Sequence, residues 1–323
     1  MLCVFTGRML NGLKNKQSVL LKAGVSANTR ITRRSQLNKY EEFCIKVNAK
    51  PFPCSSMQCR LYATYLSKTF KPVSVRNYVS AVWYHSKLLG YAEFSNCFLV
   101  KQLLNGIERT FASYDNYGRY PLSPLELLAI YKLLDMNILE DRIFWAASII
   151  CFRGLLRKSH VTTSAHFLEC RDVTIFPNHL VFNIRSSKTD QFGRSPYKVY
   201  LQNIPDSPFC ISGILKGILN TSSSKEVLFR FVLGNKWVPF TYAYMNARLK
   251  GLSCSVGLPF DRVSTHSLRH GGSSMLKALG VSVDSIMSRG NWKSKAVYTY
   301  LHQSEQSMLV LEHIPVSHMK VLI

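Results

Sequence analysis

The chain has 323 residues, and 47% of them are hydrophobic, so it can bury a sizeable core, is long enough for two domains and is not an intrinsically disordered protein. Its 41 Lys and Arg residues outnumber 18 Asp and Glu residues, which gives a net charge of +23 and favours a polyanionic partner, nucleic acid before a membrane surface. The sequence contains neither an apolar run long enough to span a bilayer nor a recognisable signal peptide, and nine cysteines without paired spacing predict free thiols in a reducing compartment.

The first part of the chain predicts a leader over residues 1–25 and a compact all-helical domain over residues 26–112. Two of its four helices carry clear apolar stripes, Leu37, Tyr40, Phe43 and Cys44 in the first and Leu61, Tyr62, Tyr65 and Leu66 in the second. Residues 1–112 hold 17 basic and 4 acidic residues. This excess favours phosphate binding over mere solubility for a set of exposed basic side chains, Arg33, Arg34, Lys39, Arg76 and Lys87.

A polar, turn-rich segment over residues 113–121 predicts a linker to a second domain, residues 122–305, followed by a tail over 306–323. The second domain begins with helices, and an apolar helix leads into a turn where Arg157 emerges. Strand signals then predict a three-stranded antiparallel meander with Lys188 in its second hairpin loop, and helices resume afterwards. The expected fold class is therefore mainly α with a small antiparallel β-sheet.

The stretch from His266 to Tyr300 concentrates the reactive side chains of the chain. His266 and Arg269 are three residues apart, which places them on one face of a helix that should end at Gly280. A second helix should run from Ser282 to Gly290, and Trp292 leads into a last helix with Tyr298 and Tyr300. Arginines bind phosphate oxygens and a tyrosine can be a covalent nucleophile, so the stretch suits phosphodiester chemistry.

Two simpler interpretations remain open at this point. The same helix–turn–helix with basic residues could be a DNA-binding element without chemistry. His270, beside His266 in the next turn, is either a structural histidine or a further proton carrier or ligand. Because no carboxylate or cysteine stands at metal-ligand spacing beside this pair, we expect no metal site.

The order of these residues resembles the tyrosine recombinases, or phage-type integrases, over about residues 20–305. The resemblance rests on Arg157 in GLLRKSH, Lys188 in SSKTDQFGR, HSLRHGG with His266 and Arg269, Trp292 in GNW and a tyrosine eight residues later. SKTDQFGR and GNW resemble the recombinases of eukaryotic mobile elements of the DIRS type. The resemblance implies a two-domain clamp on duplex DNA, formed by a helical core-binding domain and a mixed α/β catalytic domain.

The activity that the resemblance implies is DNA cutting and rejoining through a 3′-phosphotyrosyl intermediate, used in site-specific recombination or integration. Tyr300 would be the nucleophile, Arg157 and Arg269 would hold the phosphate, and Lys188 would protonate the leaving oxygen. His266 would assist proton transfer, and Trp292 would pack against the nucleophile and donate its indole N–H to a phosphate oxygen. Neither a metal nor a nucleotide cofactor is expected.

Two positions depart from the family pattern. His160 stands three residues after Arg157, where the family usually has an acidic residue, and Asn291 stands after Gly290, where many members carry His. If Asn291 is the equivalent residue, Trp292 only packs. Two alternative functions are a catalytically inactive DNA-binding protein derived from a recombinase and a type IB topoisomerase-like relaxation enzyme.

The resemblance also implies how the protein would assemble and where it would act. The expected partner is double-stranded DNA, bound on paired sites by a homotetramer, with no membrane association. The apolar cluster Met308, Leu309, Val310 and Leu311 in the tail predicts docking into a neighbouring protomer, with folding back onto its own domain as the alternative. We expect a nuclear protein in a eukaryotic host, or a cytoplasmic, nucleoid-associated one in a prokaryotic host.

Overall fold

A computed structural model describes residues 7–91, 97–111 and 119–301, except 165, 188, 189, 191, 234 and 235. The chain divides into two units, residues 1–116 and 117–323. This division lies within the predicted linker, while the roles assigned to the two domains stay predictions. No helix in these described ranges combines the length and the apolar character that crossing a membrane requires.

Unit 1 is built from helices alone in its described residues: α1 (Gly7–Ala23), α2 (Ala27–Lys46), α3 (Ser56–Ser67), α4 (Pro72–Leu88) and α5 (Phe98–Phe111). Serine hydroxyls accept from backbone amides at the start of α2 and α3, and Pro72 occupies the first turn of α4. The predicted stripe of α2 is confirmed, because its four residues are the buried ones of that helix.

Two details of unit 1 differ from the sequence-based expectations. The predicted leader contains α1, and the side chains of α1 that are described are mostly exposed. In α3, Leu61 is 48% exposed, and Cys59 and Ala63 are buried instead beside Tyr62 and Leu66. Small residues at these two positions let α3 pack closely, so the inward face is rotated relative to the face that the large apolar residues suggest.

Unit 2 contains the remaining helices: α6 (Pro124–Tyr131), α7 (Leu139–Arg153), α8 (Lys158–Val161), α9 (Ser212–Asn220), α10 (Tyr242–Ser255), α11 (Thr265–Ala278), α12 (Val283–Gly290) and α13 (Tyr298–Leu301). Three strands, β1 (Val173–Ile175), β2 (His179–Ile184) and β3 (Tyr197–Gln202), form the predicted antiparallel meander in the order β1-β2-β3. The fold class is thus the expected one, mainly α with a small antiparallel sheet.

A second, two-stranded sheet was not anticipated. It pairs β4 (Arg230–Leu233) with β5 (Lys236–Pro239). Its sequence, RFVLGNKWVP, has two β-branched and aromatic runs separated by Gly-Asn, which is a recognised hairpin signal. The helices predicted on either side of this segment are present as α9 and α10.

Helix α11 lies against α7, where Gly272 allows the close approach, and against the segment before α6, where Gly271 does. A Cβ atom added to Gly272 would lie 1.9 Å from the Phe152 carbonyl oxygen, and one added to Gly271 would lie 1.7 Å from the Leu122 carbonyl oxygen. Both obstacles are backbone atoms, so no side-chain movement could relieve them. The HGG motif therefore fixes the position of α11, on which His266 and Arg269 stand.

Candidate active site

The two predicted arginines reach the site from different parts of unit 2. Arg157 lies where the segment after α7 enters α8, and Arg269 lies in the second turn of α11. Arg269 is 1% exposed and its guanidinium donates to the carbonyl oxygens of Leu155 and Gly290. Leu155 is two residues before Arg157, so one hydrogen bond of Arg269 also fixes the segment that carries the other arginine.

Arg157 is half-buried, and one of its hydrogen-bond donors has no partner among the described residues. Its Nη1 atom is inaccessible to solvent and has no hydrogen-bond partner in the described part of the chain. A buried donor without a partner costs about 1–3 kcal/mol, so such an atom marks a place where a ligand would be stabilised. No carboxylate among the described residues forms an ion pair with this guanidinium, and the natural complement is an anion.

Trp292 and Asn291 occupy different positions beside Arg269. The Trp292 ring lies 3.8 Å from the guanidinium carbon of Arg269 and covers Gly290, where any Cβ would collide with the indole. Asn291 ends α12 in the left-handed conformation, with φ of 49°. Trp292 thus stacks on an arginine, whereas its predicted contacts with the nucleophile and with a phosphate oxygen stay predictions.

His266 and His270 form a pair on α11, with ring centroids 5.2 Å apart in an edge-to-face arrangement. Burial lowers the pKa of His266 to about 3, helped by His270 and by the positive charges of Arg119, Arg269 and Arg157. Burial and the charges of Arg119 and Arg269 likewise lower the pKa of His270 to about 4. Both imidazoles are therefore neutral at physiological pH, and each neutral ring has one nitrogen that donates a hydrogen bond and one that accepts.

His160, three residues after Arg157, is also neutral and buried. Burial, opposed by its contact with the His166 carbonyl, lowers the pKa of His160 to about 4, and Arg157 adds to the decrease. Its Nδ1 lies 3.1 Å from the His166 carbonyl oxygen, which makes Nδ1 the donor and leaves Nε2 as an acceptor. A neutral histidine here supports the neighbouring backbone without cancelling the charge of Arg157.

Lys188 lies outside the described residues, but the ends of its loop are described. Ser187 N donates to Asp190 O at 3.0 Å, and Asp190 N donates back to Ser187 O at 2.9 Å. The Asp190 carboxylate accepts from the amides of Arg194 and Ser195, and these bonds together with the charge of Lys293 lower its pKa. Lys293 follows Trp292, so the base of this loop is close to the segment that covers Arg269.

The predicted nucleophile lies in α13, which packs against α11. The Tyr300 side chain lies outside the described part of the structure, whereas Tyr298 is described and is 45% exposed. The tail over 306–323, including Met308 to Leu311, also lies outside the described residues. Among those that are described, no three His, Cys, Asp or Glu side chains are grouped as a metal site would need.

Sequence reasoning missed two residues of this site. Arg119, from the end of the predicted linker, donates to Ser264 Oγ at 2.7 Å and acts electrostatically on both histidines of α11. Tyr197, the first residue of β3, lies within electrostatic reach of Arg157 and Arg269. Neither belongs to a motif, and a contact between residues 145 positions apart leaves no local trace in the sequence.

Of the five basic residues proposed for unit 1, Arg34 and Lys87 are exposed, whereas Arg33, Lys39 and Arg76 are half-buried. Three pair with carboxylates: Arg34 with Glu41 at 4.0 Å, Lys39 with Glu42 at 3.3 Å and Arg76 with Glu108 at 2.6 Å. Arg33 stacks on the Tyr84 ring, with its guanidinium carbon 3.6 Å from the ring centroid. Lys87 lies in the last turn of α4. Their binding to DNA stays a prediction.

No family model matches the chain, and no curated protein matches its sequence. Its fold is similar to those of several solved structures. The XerH site-specific recombinase in a post-cleavage complex with its difH substrate aligns over 86% of this chain and 77% of its own, with 18% identity and a TM-score of 0.61.

Two further structures have the same fold. The Tn1549 transposon integrase in complex with circular intermediate DNA aligns over 90% of this chain and 97% of its own, with 13% identity and a TM-score of 0.58. A lambda integrase dimer bound to a core site aligns over 90% and 93%, with 15% identity and a TM-score of 0.55. The chain therefore has the fold of the tyrosine recombinases.

Proposed function

We propose that this protein cuts and rejoins DNA strands with Tyr300 as nucleophile, as a site-specific recombinase or integrase of a mobile element. One observation carries the proposal. Arg269 is held by the main-chain segment that bears Arg157, beside a pair of neutral histidines, and α13 with Tyr300 packs against the same helix. A buried arginine bound to the segment of a second arginine, neutral histidines on the same helix and a tyrosine in the helix packed against it suit an in-line attack on a phosphodiester.

In the proposed reaction, the Tyr300 oxygen attacks the scissile phosphorus and loses its proton, and His266 is the proposed acceptor of that proton. Arg157 and Arg269 stabilise the charge that builds on the non-bridging oxygens. The bond to the 5′ oxygen breaks, and Lys188 supplies the proton that makes it a free 5′ hydroxyl. The 3′-phosphotyrosyl bond keeps the energy of the cleaved ester, so rejoining needs no nucleotide.

Duplex DNA is the proposed substrate because both parts of the sequence carry an excess of basic residues, net +13 for residues 1–112 and net +10 for residues 113–323. The surface residues Arg33, Arg34, Lys39, Arg76 and Lys87 are proposed phosphate contacts. The fold similarity to recombinases solved with bound DNA supports this partner. A homotetramer on paired sites, linked by exchange of the tail over 306–323, belongs to the same proposal.

The nucleophile can be tested on a nicked suicide duplex, on which cleavage traps the protein covalently. Tyr300→Phe should keep DNA binding and lose the covalent adduct. Tyr298→Phe is the matched control, because residues two apart on a helix point roughly 200° away from each other. An adduct that persists in Tyr300→Phe and disappears in Tyr298→Phe would assign the role to the other tyrosine.

Adduct formation and plasmid relaxation separate the alternatives. An inactive DNA-binding protein would form no adduct at all, and a topoisomerase-like enzyme would relax supercoiled plasmid without recombining paired sites. Cleavage should proceed in excess EDTA without nucleotide.

Truncation after Glu305 should preserve single-site binding and abolish paired-site complexes. Paired-site complexes of normal yield would instead favour a tail that packs on its own domain.

A further inference from the structure

Strand β3 brings a tyrosine to the arginine pair. In β3, Tyr197 shares one face with the buried residues Val199 and Leu201, whereas Lys198 and Tyr200 lie on the other face. Val199 approaches Gly154, just before the segment that carries Arg157. Tyr197 is the first residue of β3, and it lies within the electrostatic reach of both Arg269 and Arg157.

The Tyr197 hydroxyl is buried and lacks a hydrogen-bond partner in the described structure. The groups that act on it are the guanidinium charges of Arg269 and Arg157 and the side chain of Asn291, which approaches it without forming a hydrogen bond of good geometry. Burial outweighs these effects and raises the pKa of Tyr197, so the phenol stays protonated at neutral pH. A neutral O–H beside two cations is a hydrogen-bond donor to an anion.

The Tyr197 hydroxyl and Arg157 Nη1 are thus two buried donors without hydrogen-bond partners among the described residues. The Tyr197 hydroxyl also lies within the electrostatic reach of Arg157 and Arg269. Each donor costs stability while it is unpaired, and one oxyanion could accept from both. We propose that Tyr197 is a further phosphate ligand of this site and donates its O–H to a non-bridging oxygen held by Arg157 and Arg269. This inference rests on the proposed function for the identity of the phosphate as that of DNA, but it can be tested without DNA.

The first test uses inorganic phosphate and the midpoint of thermal unfolding of the full-length protein. Phosphate that binds the folded state raises the midpoint as its concentration increases. Tyr197→Phe should weaken the apparent phosphate affinity about fivefold, the loss expected for one hydrogen bond of about 1 kcal/mol. Arg157→Ala should abolish the response, and Tyr200→Phe, on the 55% exposed tyrosine of the opposite face, should match the wild type.

Without phosphate, Tyr197→Phe should unfold at the wild-type temperature or above it, because it removes an unpaired buried hydroxyl. A structural hydroxyl would give the opposite result, a lower midpoint in the absence of ligand. A phosphate response equal in Tyr197→Phe and wild type would overturn the proposal. So would a response that survives in Arg157→Ala, since the phosphate would then be bound elsewhere.

A second test uses the nicked duplex. Tyr197→Phe should form the covalent adduct about tenfold more slowly than wild type at saturating DNA, and this difference should vanish when a methylphosphonate removes the charged non-bridging oxygen. Equal slowing on both duplexes would refute a phosphate contact. Failure of the wild type to form any adduct would refute the proposed function, while the phosphate titration would still decide the role of Tyr197.

Discussion

The proposed DNA contacts of unit 1 and the arginines around the candidate active site are held in different ways, although other arginines of unit 2, such as Arg248 beside Asp141, also pair with carboxylates. On unit 1, three of the proposed DNA contacts lie within 4.0 Å of a carboxylate. Around the candidate active site, three buried or half-buried guanidiniums donate to main-chain carbonyls: Arg269 to Leu155 and Gly290, Arg153 to Phe209 and Gln202, and Arg289 to Arg153 and Tyr200.

This difference shows how a fold can position a cation without neutralising it. A carboxylate orients a guanidinium but cancels its formal charge, whereas a carbonyl dipole orients it and leaves the net charge for a ligand. The neutral state of His160, His266 and His270 limits the mutual repulsion that three more charges would add. The surface pairs of unit 1 remain partly compensated, and they suit contacts that form and break easily.

The largest difference between the two groups of arginines should appear when an arginine of the candidate active site is removed. Arg157→Ala should lower the rate of adduct formation on the nicked duplex by about 10²–10³-fold, the usual cost of losing one donor to a transition-state oxyanion. DNA binding should change far less. Arg76→Ala, which removes a carboxylate-paired arginine of unit 1, is the matched control, and a comparable rate loss in that variant would contradict the distinction.

A second variant tests whether the close approach of α11 positions Arg269. Gly272→Ala should destabilise unit 2 by about 2–4 kcal/mol, because its Cβ would overlap a main-chain oxygen. Denaturant unfolding gives the value. Gly251→Ala, in α10 with no atom within 4 Å of the added carbon, should instead stabilise by up to about 1 kcal/mol. Equal effects of the two substitutions would show that the close approach of α11 to α7 does not require a glycine at position 272.

Acid should lower the free energy of unfolding, because three buried histidines are held neutral in the folded protein. His160, His266 and His270 have pKa values of about 3–4 in the folded protein, below 6.5 for unfolded histidine. The unfolded chain therefore binds protons first, and stability that is complete above pH 6.5 is lost as the pH falls towards 4, at up to about 1.4 kcal/mol per pH unit for each group.

Urea unfolding of the full chain between pH 7 and pH 5 measures this loss. A His270→Gln variant removes one titrating group and should show a shallower dependence than the wild type. A stability that stays constant over this range, or that rises as the pH falls, would show that these histidines are not held neutral.

The smallest expected effect concerns the surface pairs. Arg76→Gln should change the stability of the protein by less than about 1 kcal/mol, as for most exposed ion pairs. If Arg76 contacts a phosphate, the slope of log K against log salt concentration should decrease by about 0.9. Lys68→Gln, a change at a basic residue outside the proposed set, provides the reference slope. An unchanged slope in Arg76→Gln would remove this residue from the DNA surface.

Much of the fold was predictable because its signals are local. Alternating apolar residues predicted the three-stranded meander, and Ser282 and Gly280 marked helix ends that the structure places at the same positions. The hairpin β4–β5 was missed although its Gly-Asn signal is present in the sequence. Leu61 was misassigned because small residues, and not the largest ones, line the inner face of α3.

The site was less predictable, since its geometry depends on contacts between distant segments. The motifs nominated Arg157, Lys188, His266, Arg269, Trp292 and Tyr300. Of these, Trp292 stacks on Arg269, and the charges of Arg157 and Arg269 act on His266, whereas the side chains of Lys188 and Tyr300 lie outside the described residues. Nothing local indicated that Arg269 would be fixed by Leu155, or that Tyr197 would face the arginines. The pKa of His266 depends on burial and on charges from three segments, which no spacing rule contains.

The two arginines that fasten β3 also affect how the protein behaves in concentrated solution. β3 is an edge strand of its sheet, and edge strands with unpaired carbonyls invite pairing with strands of other molecules. Arg289 and Arg153 donate to the carbonyls of Tyr200 and Gln202. These side chains occupy acceptors that another chain would need, so the strand next to the candidate active site is protected against edge-to-edge aggregation.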